Sequence, residues 1–547
     1  VGVLDGTGTV IKTGGGTLVL GADNTYSGNS VVSAGYLRIG NGGASGTIAG
    51  TVYNSGRVDI ERSDTYTQPF NVVGTGGIGI RSVNGVVWDG TATIDISGSV
   101  EVGRDVAGKL MIQGTANPRM GHFLLGNPAS MAGEVVQTGG DVWVTNSMRV
   151  GHYPTETSTY TMENGTLNLV GIPAGPAAGS SEQNGVLYVG VDGTGIFTQK
   201  GGTVRAHGLV LDNRGNTAGD DTFNLEGGIF VVGPSGIGTG TAGNTYIINL
   251  TSGTLAASAD WSSALNMSLT GVQPGPTFDT GPNTVQLSGA ITGPGGLFKV
   301  GSGTLVLSGS DLYLGQTVVG GGTLSVVGSV GAGGSAVVVT NGTLTGTGTI
   351  VDAIQIQEAG TLAPGPGIAT LTCTFAGIAP AVTLAGTTAM EINKAGATRT
   401  SDKVVASVGI AYGGILNVQA SGDALSDGDS FQLFESTAYT GAFASISLPT
   451  LRAGLEWDTT TLAADGTIRV KAAAPAQLLI AVTGSGTERG ISISWDPIYG
   501  NHILQSQTNA IGEGITTNWQ EVVNAPNPFI IQPIPTGENV FFRLILP

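Results

Sequence analysis

Sulfur chemistry is nearly absent from this chain: its one cysteine, Cys373, can close no internal disulfide and has no CxxC partner for zinc. Charge is scarce as well. Of 547 residues, 21 are Lys or Arg and 38 are Asp or Glu, about one in nine against a usual level of roughly one in four. The balance of −17 excludes nucleic acid as an expected partner and favours attraction of cations. Four histidines, His122, His152, His207 and His502, stand far apart with no HxH, HExxH or Cys/His cluster, so a transition-metal site has no support. No GxSxG nucleophile elbow occurs. The stretch 103–110 nearly spells a phosphate-binding loop, but Leu110 stands where Ser or Thr must hold magnesium. No apolar run approaches the roughly 18 residues that cross a bilayer, so no membrane span is expected.

Glycine, by contrast, is abundant. With 94 Gly, long helices are disfavoured, while 22 Pro and no three-residue period exclude collagen. Apolar residues make up 40% of the chain, too many for disorder. An all-β protein with many tight turns remains, too long for one core, because single cores stop growing near 250–300 residues. One phrase recurs: Gly-Thr-Leu begins at Gly16, Gly165, Gly253, Gly303, Gly322, Gly342 and Gly360, the last four separated by 19, 20 and 18 residues. Looser copies at Gly114, Gly140, Gly165, Gly202, Gly228 and Gly253 are spaced 26, 25, 37, 26 and 25. The long interval holds residues 171–176 and an Ala/Gly/Ser stretch, which reads as a loop inserted into a regular unit. A period of 18–26 residues with alternation inside each unit marks a solenoid of strands. Each coil points Val, Leu, Ile and Phe inward, and Gly supplies the positive-φ corners.

Residues 6–28, with Gly16-Thr17-Leu18 and Asn24-Thr25-Tyr26, resemble the autotransporter-associated β-strand repeat, and residues 296–324 resemble a second copy. The stretch 342–470 is similar to the C-terminal coils of bacterial passenger domains, through Gly360-Thr361-Leu362-Ala363-Pro364-Gly365 and Gly454-Leu455-Glu456-Trp457-Asp458. The resemblance implies an all-β, elongated, right-handed β-solenoid (β-helix) that is secreted or displayed at the cell surface. The expected organisation is N-terminal coils over 1–90, coils of about 25 residues over 91–273, coils of about 19 residues with a passenger-like cap over 274–470, and a linker at 471–476. Residues 477–547 alternate around Ile491, Ile493 and Trp495. They resemble the fibronectin-type-III-like β-sandwich modules of secreted proteins from Verrucomicrobia- and Planctomycetes-like bacteria. The strand run of an outer-membrane barrel, which the passenger resemblance would bring, is not seen in this tail, so the route of export stays open.

Two places gather charge. Alternation puts Arg57, Asp59 and Glu61 on one strand face; Asp212, Asp220 and Asp221 flank a short loop and are the calcium candidates. The bland readings are a solvated strand face and an Asx-rich turn. Trp88, Trp143, Tyr153, Tyr160, Trp261 and Tyr313 are the candidates for stacking on sugar rings, though they follow no repeat period. No catalytic residue and no cofactor is expected. The function expected is a non-catalytic extracellular structural protein, a homo-oligomer or filament joined head-to-tail, with cell-surface polysaccharide as a possible ligand. The alternatives are a carbohydrate-binding adhesin and, second, a polysaccharide lyase or glycosidase built on a β-helix.

Overall fold

The computed structural model describes every residue except 1, 127–130, 155–156, 172–182, 215–218, 241–244, 273–274, 378–379, 475–476, 486–488, 497–501, 532–537 and 546–547. Two compact units divide the chain. The first comprises Val1–Ala424, Ser430–Thr450 and Asp458–Arg469; the second comprises Leu425–Asp429, Leu451–Trp457 and Val470–Pro547.

The first unit is a parallel β-solenoid. Short strands of successive coils pair in register from Val10–Lys12 on Ser30–Val32 through to Ile410–Tyr412 on Tyr439–Gly441. The Gly-Thr-Leu phrase explains itself in this ladder: Thr304, Thr323, Thr343, Thr361 and Thr387 lie one over the next, and Leu305, Leu324, Leu344 and Leu362 form a fully buried column beside them. Each coil repeats the phrase because each must supply the same inward leucine to the neighbour above and below.

The corners obey a second constraint. Gly140, Gly165, Gly202, Gly228 and Gly253 all have φ between 68° and 92°. A Cβ on Gly202 would lie 2.4 Å from the carbonyl oxygen of Gly165, and one on Gly228 would lie 2.4 Å from that of Gly202. Left-handed backbone and close coil stacking therefore both require glycine at this edge. The longer interval between Gly165 and Gly202 leaves the register intact, with Leu167 paired to Val204. The inserted loop itself, at 172–182, lies outside the described residues.

Inside the middle coils runs an aromatic column. Tyr160, Phe197 and Phe223 occupy equivalent register positions; the rings of Tyr160 and Phe197 stack at 5.2 Å and those of Phe197 and Phe223 at 5.9 Å. Phe123 meets Tyr160 edge-on, and Phe230 meets Phe223 likewise. Further along, Tyr412 packs on Phe434, Tyr439 and Phe443, and its hydroxyl donates to the Leu462 carbonyl of a one-turn helix, Leu462–Asp465.

In the second unit, Leu479–Thr483, Gly490–Ser494 and Phe529–Ile531 form one antiparallel sheet, and Gln520–Glu521, Ile503–Ala510 and Glu538–Ile545 form another. Ile493, Trp495 and Leu504 share a buried cluster with Phe529, Phe542 and Leu544. Among the described residues no helix is long and apolar enough to cross a membrane.

Candidate functional site

Alternation aims Leu37, Val58, Ile78 and Val100 into the solenoid, which leaves Arg38, Asp59, Gly79 and Glu101 in one row on the outer face of four stacked strands. Charges on an outer face normally stay in water. Here they do not: Arg57 is 8% exposed, Asp59 2% and Glu101 7%. Glycine is the reason. Gly77 and Gly79 carry no side chain, and the Arg57 guanidinium lies across the gap they leave. A Cβ on Gly79 would fall 2.3 Å from Asp59 Oδ1 and 2.7 Å from Arg57 Nη2. Arg57 Nε donates to Asp59 Oδ1 at 2.8 Å, and Nη1 reaches over the intervening coil to Glu101 Oε1, also at 2.8 Å.

The pairing continues on both sides. Arg104 donates to Glu101 Oε2 at 2.9 Å, Arg81 donates to Glu61 Oε2 at 2.8 Å and to Asp105 Oδ2 at 2.7 Å, and Arg38 lies 3.2 Å from Glu61. Arg62 grips Asp64 with two nitrogens and covers the Tyr66 ring at 4.4 Å. The expectation that Arg57, Asp59 and Glu61 share a face is met by one continuous network, but the solvated-face reading is corrected, because the glycine gap lets the guanidinium lie flat and dry. Burial penalises the Glu101 carboxylate; the charge of Arg57 and its hydrogen bond, with help from Arg104 and Ser99, outweighs that penalty and holds the pKa below 4.5.

A depressed carboxylate pKa stabilises the fold above the unfolded-state value and loses that contribution as pH falls through the folded-state value. Hydrogen exchange of peptides covering 57–105 should therefore lose protection between pH 6 and pH 3, once intrinsic exchange is corrected for. Unchanged protection at pH 3 would show that the arginines do not hold these coils.

Farther along the same face, His122 and His152 stand on either side of Arg149, two histidines that sequence spacing kept apart. His122 Nδ1 lies 3.1 Å from Ser147 Oγ, Asn146 Nδ2 lies 3.1 Å from His122 Nε2, and Arg149 Nε donates to Ser147 Oγ at 3.2 Å. With the Asn146 amide donating to Nε2, the His122 proton sits on Nδ1, and Ser147 accepts from both His122 and Arg149. Burial, then the Arg149 charge, lowers the His122 pKa, and the same causes drive His152 down to about 3, so both rings are neutral at pH 7. His502 belongs to the second unit.

The calcium candidates have different surroundings. The Asp221 carboxylate turns inward and accepts from the Gly195 amide at 2.8 Å, whereas Asp220, just before the strand Asp221–Leu225, is exposed and lines an open cleft with Tyr246, Asn266 and Ser268. Asp212 is buried in a turn with φ 46°. Among the described residues no group of three or more His, Cys, Asp or Glu is placed to hold a metal. The sugar-stacking candidates are corrected too: Trp88, Tyr160, Trp261 and Tyr313 are buried in the solenoid, Tyr160 and Trp261 in phase with the inward positions of their strands. Trp143 and Tyr153 are half-buried, Trp143 beneath the Arg119 guanidinium at 4.9 Å.

Known proteins share parts of this sequence. The family model for the passenger-associated-transport-repeat matches residues 10–39 and 297–326, both of which are stacked coils of the solenoid. An extracellular serine protease of Serratia marcescens is 45% identical over 84 residues, which cover 15% of this chain and 8% of that relative. Repeat and relative together point to an extracellular, passenger-type domain. They also overturn the expectation of a non-catalytic chain, because sequence of this kind is carried by a protein named as a protease. That expectation had treated a scaffold-like repeat as evidence against enzyme chemistry, and scaffold and chemistry are separable properties of one polypeptide.

Proposed function

We propose that this chain is the solenoid of an extracellular passenger, a stalk of stacked coils that carries a hydrolytic activity of the kind named in its Serratia relative. The observation that supports this is the position of the two passenger-repeat segments. Each covers a full coil and the start of the next, so the matched sequence is the structural unit of the ladder itself. Acidic, cysteine-poor composition suits an exported scaffold stabilised by ladders rather than disulfides. Within this reading the coils wind right-handed and the two sheets of the second unit make a small β-sandwich of fibronectin-type-III kind, supported by their shared core around Trp495.

Protease added to intact producing cells, followed by immunoblotting, tests the placement. The expected result is digestion of the chain on unbroken cells or its recovery from the medium. Protection equal to that of a cytoplasmic marker would overturn it. Protein purified from the producing organism should cleave casein in a manner blocked by a serine-directed fluorophosphonate.

Head-to-tail self-assembly and polysaccharide binding remain proposals of the same scheme. They are supported by the capacity of a parallel ladder to extend through any free strand edge, and sedimentation and a glycan array read them out.

A further inference from the structure

The two passenger-repeat segments have the same length and align residue for residue in sequence, with Lys12 on Lys299 and Tyr26 on Tyr313. Both lysines do the same work. Lys12 Nζ donates to the carbonyls of Thr13, Gly14 and Ala34, and Lys299 Nζ to those of Val300, Gly301 and Gly321. Both tyrosines are buried and share a hydrogen bond with the hydroxyl four residues on, Ser30 or Thr317. The third buried polar position differs: Asn24 in the first copy is Asp311 in the second.

Asn24 uses both halves of its amide. Oδ1 accepts from the Leu4 amide at 2.9 Å, and Nδ2 donates to the carbonyls of Ala22 at 2.6 Å and Thr47 at 3.1 Å. Asp311 keeps only the acceptor half, with Oδ1 taking the Ile291 amide at 2.9 Å. The residue is wholly shielded from solvent, and its Oδ2 has no hydrogen-bond partner among the described residues. An ionised carboxylate cannot donate; a protonated one can, and so reproduces the missing half of the amide.

No cation compensates the site: among the described residues Asp311 is in no ion pair. Its neighbours in the stack, Ile291 and Thr292 before it and Ser329 and Val330 after it, carry no titratable group. Tyr313 and Asp352 are the titratable groups close by, since the Tyr313 phenol feels both carboxylates. Asp352 accepts from the amides of Gly333, Gly334 and Ser335, all through Oδ1, and its Oδ2, like that of Asp311, has no hydrogen-bond partner among the described residues.

We propose that Asp311 carries a proton in the folded solenoid and latches the surrounding coils, holding them when protonated and loosening them when ionised. Burial pushes its carboxyl from 3.8 up to about 7, in keeping with that geometry. The sign follows from linkage. A folded-state pKa raised above the unfolded value gives a stabilisation complete below about pH 3.8 and lost as pH rises through about 7.

Peptide-resolved hydrogen exchange on the full chain at pH 5 and pH 8, corrected for intrinsic exchange, is the test. In the wild type, protection of peptides covering 285–330 should fall roughly ten- to a hundredfold from pH 5 to pH 8. Asp311→Asn should abolish the fall. Asn24→Asp should install a similar fall in peptides covering 4–47, where the wild type shows none. A flat wild-type profile, or a slope that survives Asp311→Asn, overturns the latch. Should Asp311→Asn fail to fold, the wild-type profile and Asn24→Asp decide: a slope in both upholds the proposal, and its absence from either refutes it.

Discussion

Phe197→Ala should destabilise the solenoid by about 3–5 kcal/mol, a cost typical of removing a buried aromatic. Phe197 is fully buried and sits at the centre of the aromatic column, stacked on Tyr160 on one side and Phe223 on the other, with Phe230 edge-on at 6.5 Å. Register fixes the two stacking contacts, because a parallel ladder repeats the same position in every coil, so the neighbours cannot slide in to fill the space. Phe197→Leu should cost less, by keeping most of the volume. Urea unfolding followed by tyrosine fluorescence and circular dichroism measures both. A loss below about 1 kcal/mol for the alanine variant would mean that the column contributes shape rather than stability.

Arg57→Ala should cost a comparable about 3–5 kcal/mol, for a different reason. The substitution leaves Asp59 buried without its ion-pair partner and Glu101 with Arg104 alone, and an uncompensated buried charge is far more expensive than a lost surface pair. The comparison variant is Lys109→Ala, whose partner Glu134 lies 2.7 Å away on the surface; exposed pairs of this kind are worth about 1 kcal/mol or less. Adding Asp59→Asn to Arg57→Ala should restore part of the loss by removing the stranded charge. Equal, small effects from both single variants in urea titrations at pH 7 would show that water reaches the Arg57 network freely.

The ladder was legible because its signal is periodic. Gly303, Gly322, Gly342 and Gly360 announce their spacing in the sequence, and the threonines that follow them stack directly. The polar network was half legible. Arg57, Asp59 and Glu61 fall on one face by simple alternation, but Arg81, Glu101 and Arg104 join from later coils. Only the register shows that 57 and 101, 44 positions apart, are two coils apart. A scan for opposite charges separated by one or two coil lengths would have found them. Asp220 and Asp221, adjacent in sequence, differ sharply in exposure, because the strand Asp221–Leu225 starts between them and buries Asp221 while Asp220 stays outside. The aromatics misled through residue type. Tyr160 keeps step with Met162 and Trp261 with Ser263, all of them on the inward side, so their phase rather than their residue type decides where they point.

Arg57 has a further consequence. Ordinary ladder bonds join each coil only to the one before and the one after, so a pull along the stack would load a single set of bonds at a time and peel the coils off in sequence. By crossing the Gly77–Ile80 strand to grasp Glu101, Arg57 ties three coils into one block that must yield together. Under tension, such a block is a mechanical stop: peeling that reaches it has to break buried ion pairs and two rows of backbone bonds at once.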